Sequence, residues 1–353
     1  MRFCITSFFI SLLLITTSCQ SQQPTAQIHL GNGKVVLLMD SSDGARAVTK
    51  DDYDGFFDKV TASEISIQVK KSMDDSIGRD MLVKEYKSFI KNDLEDFTPD
   101  ELTFMTSILQ KMYRTVSEIN PAILPDTLII VKTKGRYYGE GVWYTRNNCI
   151  IIPSGELAAE QVQLFTSTMY HELFHVYSRL NPDKSAMLYK LIGFEAIGFE
   201  NLIIPETLAE RILYNPDGVN IAQKIDLLQE DSSTISAIPV IYSNHLGYTK
   251  EKKNFFGYLE FNLFQIKKQV DGKWSVIVKD DGFSSTLDLK SQPDFFRQIK
   301  DNTQYIIHPD EVLADNFSYI MQERDGEKIS DKFSPGGKEL LKNVEGIISL
   351  KKE

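Results

Sequence analysis

The chain has 353 residues, of which 42% are hydrophobic and 25% charged, values that are typical of a globular protein with a sizeable core. Its formal net charge of −10 argues against a nucleic-acid partner, because phosphate binding requires a positive surface. Two of its three cysteines lie within the first 19 residues, so no disulfide is expected to stabilise the folded chain.

The first 30 residues have the pattern of a targeting segment followed by a tether. Residues 3–15 are almost continuously apolar, but this run is too short to span a bilayer. Small residues before Cys19 and a polar stretch after it resemble a bacterial lipobox. The resemblance implies a signal peptide over 1–18, a lipid on Cys19, a tether over 19–30 and anchoring to the cell envelope, facing the periplasm or the surface. The alternative is an ordinary secretory peptide cleaved nearby, and both interpretations predict export.

Regular elements are expected between the tether and the central motif. They are strands at 34–39 and 126–131, a turn at 40–44 and a helix at 79–92. Thr98 and Glu101 form a capping-box pattern around a proline, which predicts the start of a second helix. Turn residues at 146–148 separate two apolar runs and predict a hairpin. The edge of this hairpin could bind an extended peptide by strand addition.

Residues 166–180 read TSTMYHELFHVYSRL and contain the HExxH pattern. Side chains four residues apart on an α-helix lie one above the other, so His171 and His175 can reach one metal ion. An apolar stripe of helical period on another face supports a helix here. A catalytic zinc ion takes three protein ligands and a water, and Glu172 lies beside the histidines, where it can hold that water. The pattern therefore predicts two zinc ligands and a general base within one helical turn.

The chain after position 182 is predicted to form a short helix, irregular chain and then a β-rich block over 235–291. Asp271-Gly272 lies between two apolar-rich runs of this block and predicts a hairpin. The block is interpreted as an insertion that shapes a cleft. Glu206, nearer in sequence to the histidines, is an alternative third zinc ligand, although a solvated helix face is the simpler interpretation of its segment.

Residues 308–317 contain a second informative pattern. A proline and an aspartate at the start favour a helix, on which Glu311 and Asp315 lie four positions apart and share one face. Such a pair suits a zinc site, because one carboxylate can bind the metal while the other accepts a hydrogen bond from a ligand histidine. His308 and Tyr305 directly precede the pair, and either is a candidate donor to an oxyanion.

HELFH at 171–175 and EVLAD at 311–315 resemble the gluzincins, the class of HExxH zinc peptidases that includes thermolysin and neprilysin. In that class the third zinc ligand is a glutamate on a later helix, and neprilysin-like members carry it in an ExxAD pattern. The resemblance implies that Glu311 joins His171 and His175 around Zn²⁺, with Glu172 as the catalytic base. It covers these two helices and, loosely, the strands before them.

The predicted fold is α+β over residues 31–353, with a zincin-like core. An antiparallel or mixed sheet precedes the HExxH helix, and the β-rich insertion precedes the glutamate helix. The predicted function is zinc-dependent hydrolysis of peptide or protein substrates by a lipid-anchored enzyme. One alternative is a non-catalytic metal-binding or scaffold lipoprotein of the cell envelope. Another is a structural lipoprotein whose histidines bind nothing.

Overall fold

A computed structural model describes residues 25–350 of the chain, apart from positions 74, 75, 137, 158–160 and 253. The fold is α+β, as the sequence predicts, and contains two mixed six-stranded sheets. The predicted signal peptide and the first half of the predicted tether, which includes Cys19, lie outside the described residues. Within the described part, no helix combines the length and the apolar character that crossing a membrane requires.

The described strands and helices follow in chain order. The strands are β1 (Ala26–His29), β2 (Val35–Leu38), β3 (Leu94–Glu95), β4 (Thr127–Thr133), β5 (Tyr144–Arg146), β6 (Cys149–Pro153), β7 (Phe194–Ala196), β8 (Leu202–Ile203), β9 (Gln223–Leu228), β10 (Thr234–Ser243), β11 (Leu259–Lys268) and β12 (Trp274–Val276). The α-helices are α1 (Ser41–Ala47), α2 (Phe56–Lys59), α3 (Ala62–Val69), α4 (Arg79–Lys91), α5 (Pro99–Ile119), α6 (Val162–Leu180), α7 (Pro182–Leu191), α8 (Glu206–Ala209), α9 (Pro293–Ile299), α10 (Pro309–Arg324) and α11 (Pro335–Ile348).

The first sheet lies before the HExxH helix in sequence and has the order β1-β2-β4-β6-β5, with β3 paired to β4. Strands β2, β4 and β6 run parallel, while β5 returns antiparallel to β6 at the edge. Asn147 in the connecting turn has a φ of 52°, a left-handed conformation that asparagine tolerates well. This confirms the predicted hairpin and places strand β5 against helix α6.

Helices α6 and α10 pack side by side, and their buried side chains form a first hydrophobic core with one face of the first sheet. Met169, Leu173 and Val176 of α6 are fully buried in that core, as the apolar stripe predicts. The rings of Phe174 and Phe317 lie 5.6 Å apart, centre to centre, between the two helices. This contact brings the HELFH segment of α6 next to the 311–315 segment of α10, although the two are far apart in sequence.

The second sheet has the order β7-β9-β10-β11-β12-β8. Some of its side chains share a second hydrophobic core with the opposite face of the first sheet, and others, such as Leu263, belong to the first core. Ile151 of β6 contributes to this second core, while its neighbours Ile150 and Ile152 point to the first. Gly272 has a φ of 88° in the turn between β11 and β12, which confirms the hairpin predicted there. The sheet also takes β7, β8 and β9, so it is larger than the β-rich block predicted over 235–291.

Candidate metal centre

Helix α6 presents both histidines of the HELFH pattern toward helix α10. The helix runs from Val162 to Leu180 and so includes the whole of the 166–180 stretch that carries the pattern. The imidazole rings of His171 and His175 are 4.8 Å apart, centre to centre, as expected for residues one turn apart on a helix. The local sequence pattern is therefore sufficient to place two potential metal ligands next to each other.

Glu311 on α10 completes a set of three potential ligands. Its Oε2 atom lies 3.1 Å from Nε2 of His171 and 3.3 Å from Nε2 of His175. Ligand atoms about 2.0–2.1 Å from a zinc ion at tetrahedral angles lie roughly 3.3 Å from one another. The observed spacing between the carboxylate oxygen and each nitrogen therefore matches that of ligands on one ion.

The alternative ligand Glu206 lies elsewhere. It is an exposed residue at the start of α8, and it belongs to neither group of potential ligands found among the described residues. The structure thus brings Glu311, and not Glu206, to the two histidines.

Two aspartates of α10 hold the far nitrogens of the histidines. Nδ1 of His171 lies 2.9 Å from Oδ1 of Asp315, which is the partner predicted for a ligand histidine. Nδ1 of His175 lies 2.7 Å from Oδ2 of Asp310. Because a carboxylate accepts a hydrogen bond from each Nδ1–H, Nε2 is the nitrogen of each ring that faces Glu311 and is left to bind a metal. This is the tautomer that binding a metal through Nε2 requires.

The sequence did not reveal the role of Asp310. An aspartate in the first turn of a helix is expected for its stabilising effect alone, and Asp310 occupies that position in α10. Its second oxygen accepts hydrogen bonds from the hydroxyls of Ser178 at 2.5 Å and Tyr189 at 2.7 Å. Asp315 accepts a further hydrogen bond from Thr303. Both carboxylates are therefore fixed by neighbours on other elements, and they fix the imidazoles in turn.

Glu172 is buried beside the histidines, and its Oε2 atom has no hydrogen-bond partner among the described residues. Burial, followed by the negative charge of Asp217, raises the pKa of Glu172 to about 8. A buried carboxylate oxygen without a partner is costly unless a ligand completes it. Glu172 therefore fits a site at which a cation or a water is to be bound.

The histidines experience a strongly negative environment. Burial alone disfavours the charged form of His171, but hydrogen bonds to Asp315 and Glu311 outweigh it and raise its pKa to about 10. The pKa of His175 is raised well above its usual value against the same burial penalty, first by the charge of Glu311. Surroundings that favour a protonated imidazole also favour a bound cation.

The loop over residues 215–218 supplies two further side chains, although its sequence, NPDG, predicts only a turn. Asn215 donates a hydrogen bond from its amide nitrogen to Oε1 of Glu311. Asp217 places a carboxylate oxygen within 4.8 Å of potential ligand atoms on Glu172 and His175. A turn pattern in sequence carries no information about the distant residues that the turn will contact.

The two candidate oxyanion donors occupy different positions. His308 caps α10, with Nδ1 accepting from the backbone of Asp310 and Nε2 lying 3.1 Å from the carbonyl of Asn220, so both ring nitrogens are engaged by backbone. Tyr305 stacks on the ring of His171, with centres 5.9 Å apart, and is 44% exposed. The charge of Glu311 and then burial raise the pKa of Tyr305 well above its usual value of 10, so its hydroxyl stays protonated.

Two imidazoles and one carboxylate, with an unpartnered carboxylate beside them, form a donor set that fits a divalent metal such as zinc. An aromatic pocket adjoins this site. The aromatic residues that line it are Tyr138, Trp143, Tyr144, Phe255, Phe256 and Tyr305.

No protein-family model, curated protein or solved structure matches this chain.

Proposed function

We propose that the protein is a zinc-dependent peptidase with a zincin-like core, in which His171, His175 and Glu311 hold the metal. The observation that carries the proposal is the position of Glu311, whose Oε2 lies 3.1 and 3.3 Å from the two Nε2 atoms. The proposal is also supported by Glu172, which lies beside the histidines and has a buried oxygen without a hydrogen-bond partner among the described residues. The mixed sheet with its antiparallel edge strand β5 before helix α6 supports it as well.

The protein's own residues have defined roles in this proposal. Bound zinc supplies Lewis acidity, which lowers the pKa of a water towards ~7 and polarises a carbonyl oxygen. Glu172 accepts a proton from the water as the water oxygen attacks the carbonyl carbon of the peptide. Glu172 then delivers that proton to the nitrogen of the leaving amine as the C–N bond breaks. The hydroxyl of Tyr305, which stays protonated, donates to the developing oxyanion.

The substrate is proposed to bind at the pocket beside the candidate ligands. Strand β5 offers no free edge to an extended peptide, because its three residues are buried and the backbone nitrogen of Thr145 already donates to Asp217. The strand addition expected from the sequence is therefore not proposed, and a peptide would instead be held by its side chain. The adjoining aromatic pocket includes Trp143 and Tyr144 and can receive an apolar side chain of that peptide.

The test combines metal content with hydrolysis of a peptide library. We expect the purified protein to carry zinc, and Glu172→Gln to keep that zinc while its rate of hydrolysis falls by about 10²–10⁴-fold, because glutamine cannot accept the proton. Glu206→Gln is the matched control, since it makes the same change at an exposed position, and it should retain full activity. Full activity in the Glu172 variant would refute the mechanism. Bound zinc without any hydrolysis by the parent protein would instead favour the metal-binding lipoprotein.

Export and membrane anchoring through Cys19 belong to the same proposal. The support is the apolar run that ends in small residues before this cysteine. We expect Cys19→Ala to release the protein from the membrane fraction or to leave an uncleaved precursor. Fractionation and gel migration identical to those of the parent protein would show that Cys19 carries no lipid.

A further inference from the structure

Asp217 has no role in the mechanism described so far, yet its carboxylate lies beside Glu172 and His175. Oδ1 of Asp217 accepts hydrogen bonds from the backbone nitrogen and the hydroxyl of Thr145, both at 2.6 Å. These two bonds fix the carboxylate against the middle of strand β5. One of its oxygens lies within 4.8 Å of potential ligand atoms on both Glu172 and His175.

The charges around Asp217 leave it short of a cation. Glu172 lies next to it with a buried oxygen that has no hydrogen-bond partner among the described residues. Arg179 approaches the same loop, but its guanidinium binds Asp54, the hydroxyl of Thr145 and the carbonyl of Pro216. A metal held by the histidines and Glu311 still leaves two carboxylates at one cavity. A positively charged group on the substrate would offset that repulsion.

An α-ammonium group has the geometry to fill this position. The nitrogen and the carbonyl carbon of one residue are separated by a single Cα and lie about 2.5 Å apart. A carbonyl placed for attack by a water on Glu172 therefore carries its own residue's nitrogen into reach of a carboxylate less than 4.8 Å away. For the first residue of a peptide that nitrogen is a cation with three donors, which Asp217 can accept.

The neighbouring pocket accounts for the side chain of that first residue. Asp217 lines the pocket together with Trp143, Tyr144 and Tyr305. Phe256 at its rim is 58% exposed, which leaves an apolar ring open to a ligand. A bulky apolar or aromatic side chain would be buried there while its α-ammonium group contacts Asp217.

We propose that Asp217 binds the α-ammonium group of the substrate, so that the enzyme is an aminopeptidase that removes bulky apolar first residues. This inference rests on the proposed function of the metal centre. Water hydrolyses the bond between the first and second residues, which releases a free amino acid and a shortened peptide. Internal peptide bonds carry a neutral amide where the ammonium group would lie, and they gain nothing from Asp217.

The test compares one peptide in two forms, Phe-Ala-Ala-Ala with a free N-terminus and the same peptide acetylated. The protein carries its zinc, and products are identified by mass spectrometry. We expect release of free phenylalanine from the first form and a kcat/KM at least about 10-fold lower for the second, the effect of one charge-assisted hydrogen bond. Asp217→Asn keeps an acceptor for Thr145 and should bring this ratio close to one while zinc content stays unchanged.

The possible results separate the two proposals. Equal cleavage of both forms at internal bonds would overturn the role of Asp217 while leaving the peptidase intact. Loss of zinc in the Asp217 variant would make it a metal ligand and would also overturn the inference. If neither form is cleaved, the proposed function fails, and calorimetry then decides about Asp217. Equal affinity for phenylalaninamide and its N-acetyl form would refute amine recognition, whereas tighter binding of the free amine would support it.

Discussion

Glu311 connects the two helices of the candidate metal centre, because one oxygen of its side chain faces both imidazoles. Without it, two histidines alone would hold the ion weakly. We expect Glu311→Ala to lose bound zinc on dialysis and Glu206→Ala to keep it, as measured by metal analysis of the purified proteins. Zinc lost from the Glu206 variant and kept in the Glu311 variant would move the third ligand to helix α8.

Asp315 provides a graded comparison at the same site. Its carboxylate accepts from Nδ1 of His171 but lies beyond the atoms that would bind the metal. Asp315→Ala should weaken zinc affinity by about 10–100-fold, since only the orientation of one imidazole is lost. Competition with a chelator of known affinity measures this difference. A loss as complete as that in Glu311→Ala would mean that Asp315 itself holds the metal.

Single residues differ in how far sequence could reveal them. His171, Glu172 and His175 were predictable because a helix converts their spacing into proximity. Glu311 and Asp315 were predictable as a pair on one helical face, but their distance from the histidines depends on tertiary packing. Asp310, Asn215 and Asp217 were not predictable as site residues, because a helix start and a turn explain them locally. These residues lie at the site because their segments pack against α6 and β5.

Among the elements, those with strong local signals agree with prediction. The side chain of Thr98 accepts from the backbone of Glu101, and Glu101 accepts in return from the backbone of Thr98, which completes the predicted capping box of α5. Residues 40–44 were predicted as a turn, yet Asp40 caps helix α1. The helix continues through Gly44, where an added Cβ would lie 3.0 Å from Val131. Close packing on the first sheet explains this glycine, which sequence alone reads as a turn residue.

The capping box gives a prediction at the level of one element. Thr98→Ala removes the acceptor for the Glu101 backbone and should lower the free energy of unfolding by about 0.5–2 kcal/mol. Thr98→Ser retains the hydroxyl and should restore most of it. Urea unfolding measures both variants, and zinc content should be unchanged in both because α5 supplies no residue to the site. An alanine variant as stable as the parent protein would show that the cap contributes nothing.

For the molecule as a whole, Glu64 is a buried acid on α3 that connects the helix to the second core. Its Oε2 accepts from the backbone nitrogen of Tyr214 at 2.8 Å, while its Oε1 has no partner among the described residues. Burial raises the pKa of Glu64 from 4.5 to about 8, although the charge of Arg146 lowers it in part. The folded protein therefore holds a proton there that the unfolded chain releases.

The buried proton on Glu64 makes the stability of the protein depend on pH. Between pH 4.5 and about 8 the folded state binds more protons than the unfolded state, so the contribution of Glu64 to stability falls as pH rises through this window. Glu64→Gln should remove that dependence and raise the free energy of unfolding at pH 8 by on the order of 5 kcal/mol, because the pKa rises from 4.5 to about 8 and each pKa unit corresponds to about 1.4 kcal/mol. Unfolding curves at pH 5 and pH 8 test this. A variant less stable than the parent protein at pH 8 would contradict it.

The pairing of α6 with α10 also bears on biosynthesis. The nitrogen and oxygen atoms that would share one ion belong to residues 140 positions apart, His171 and Glu311. A ribosome-bound chain that ends before residue 310 can form the HELFH helix but lacks the proposed third ligand and both aspartates that orient the imidazoles. Long-range closure of this kind comes late in folding. A growing chain therefore passes most of its synthesis before the three potential ligands can meet, and we expect metal uptake only after helix α10 has formed.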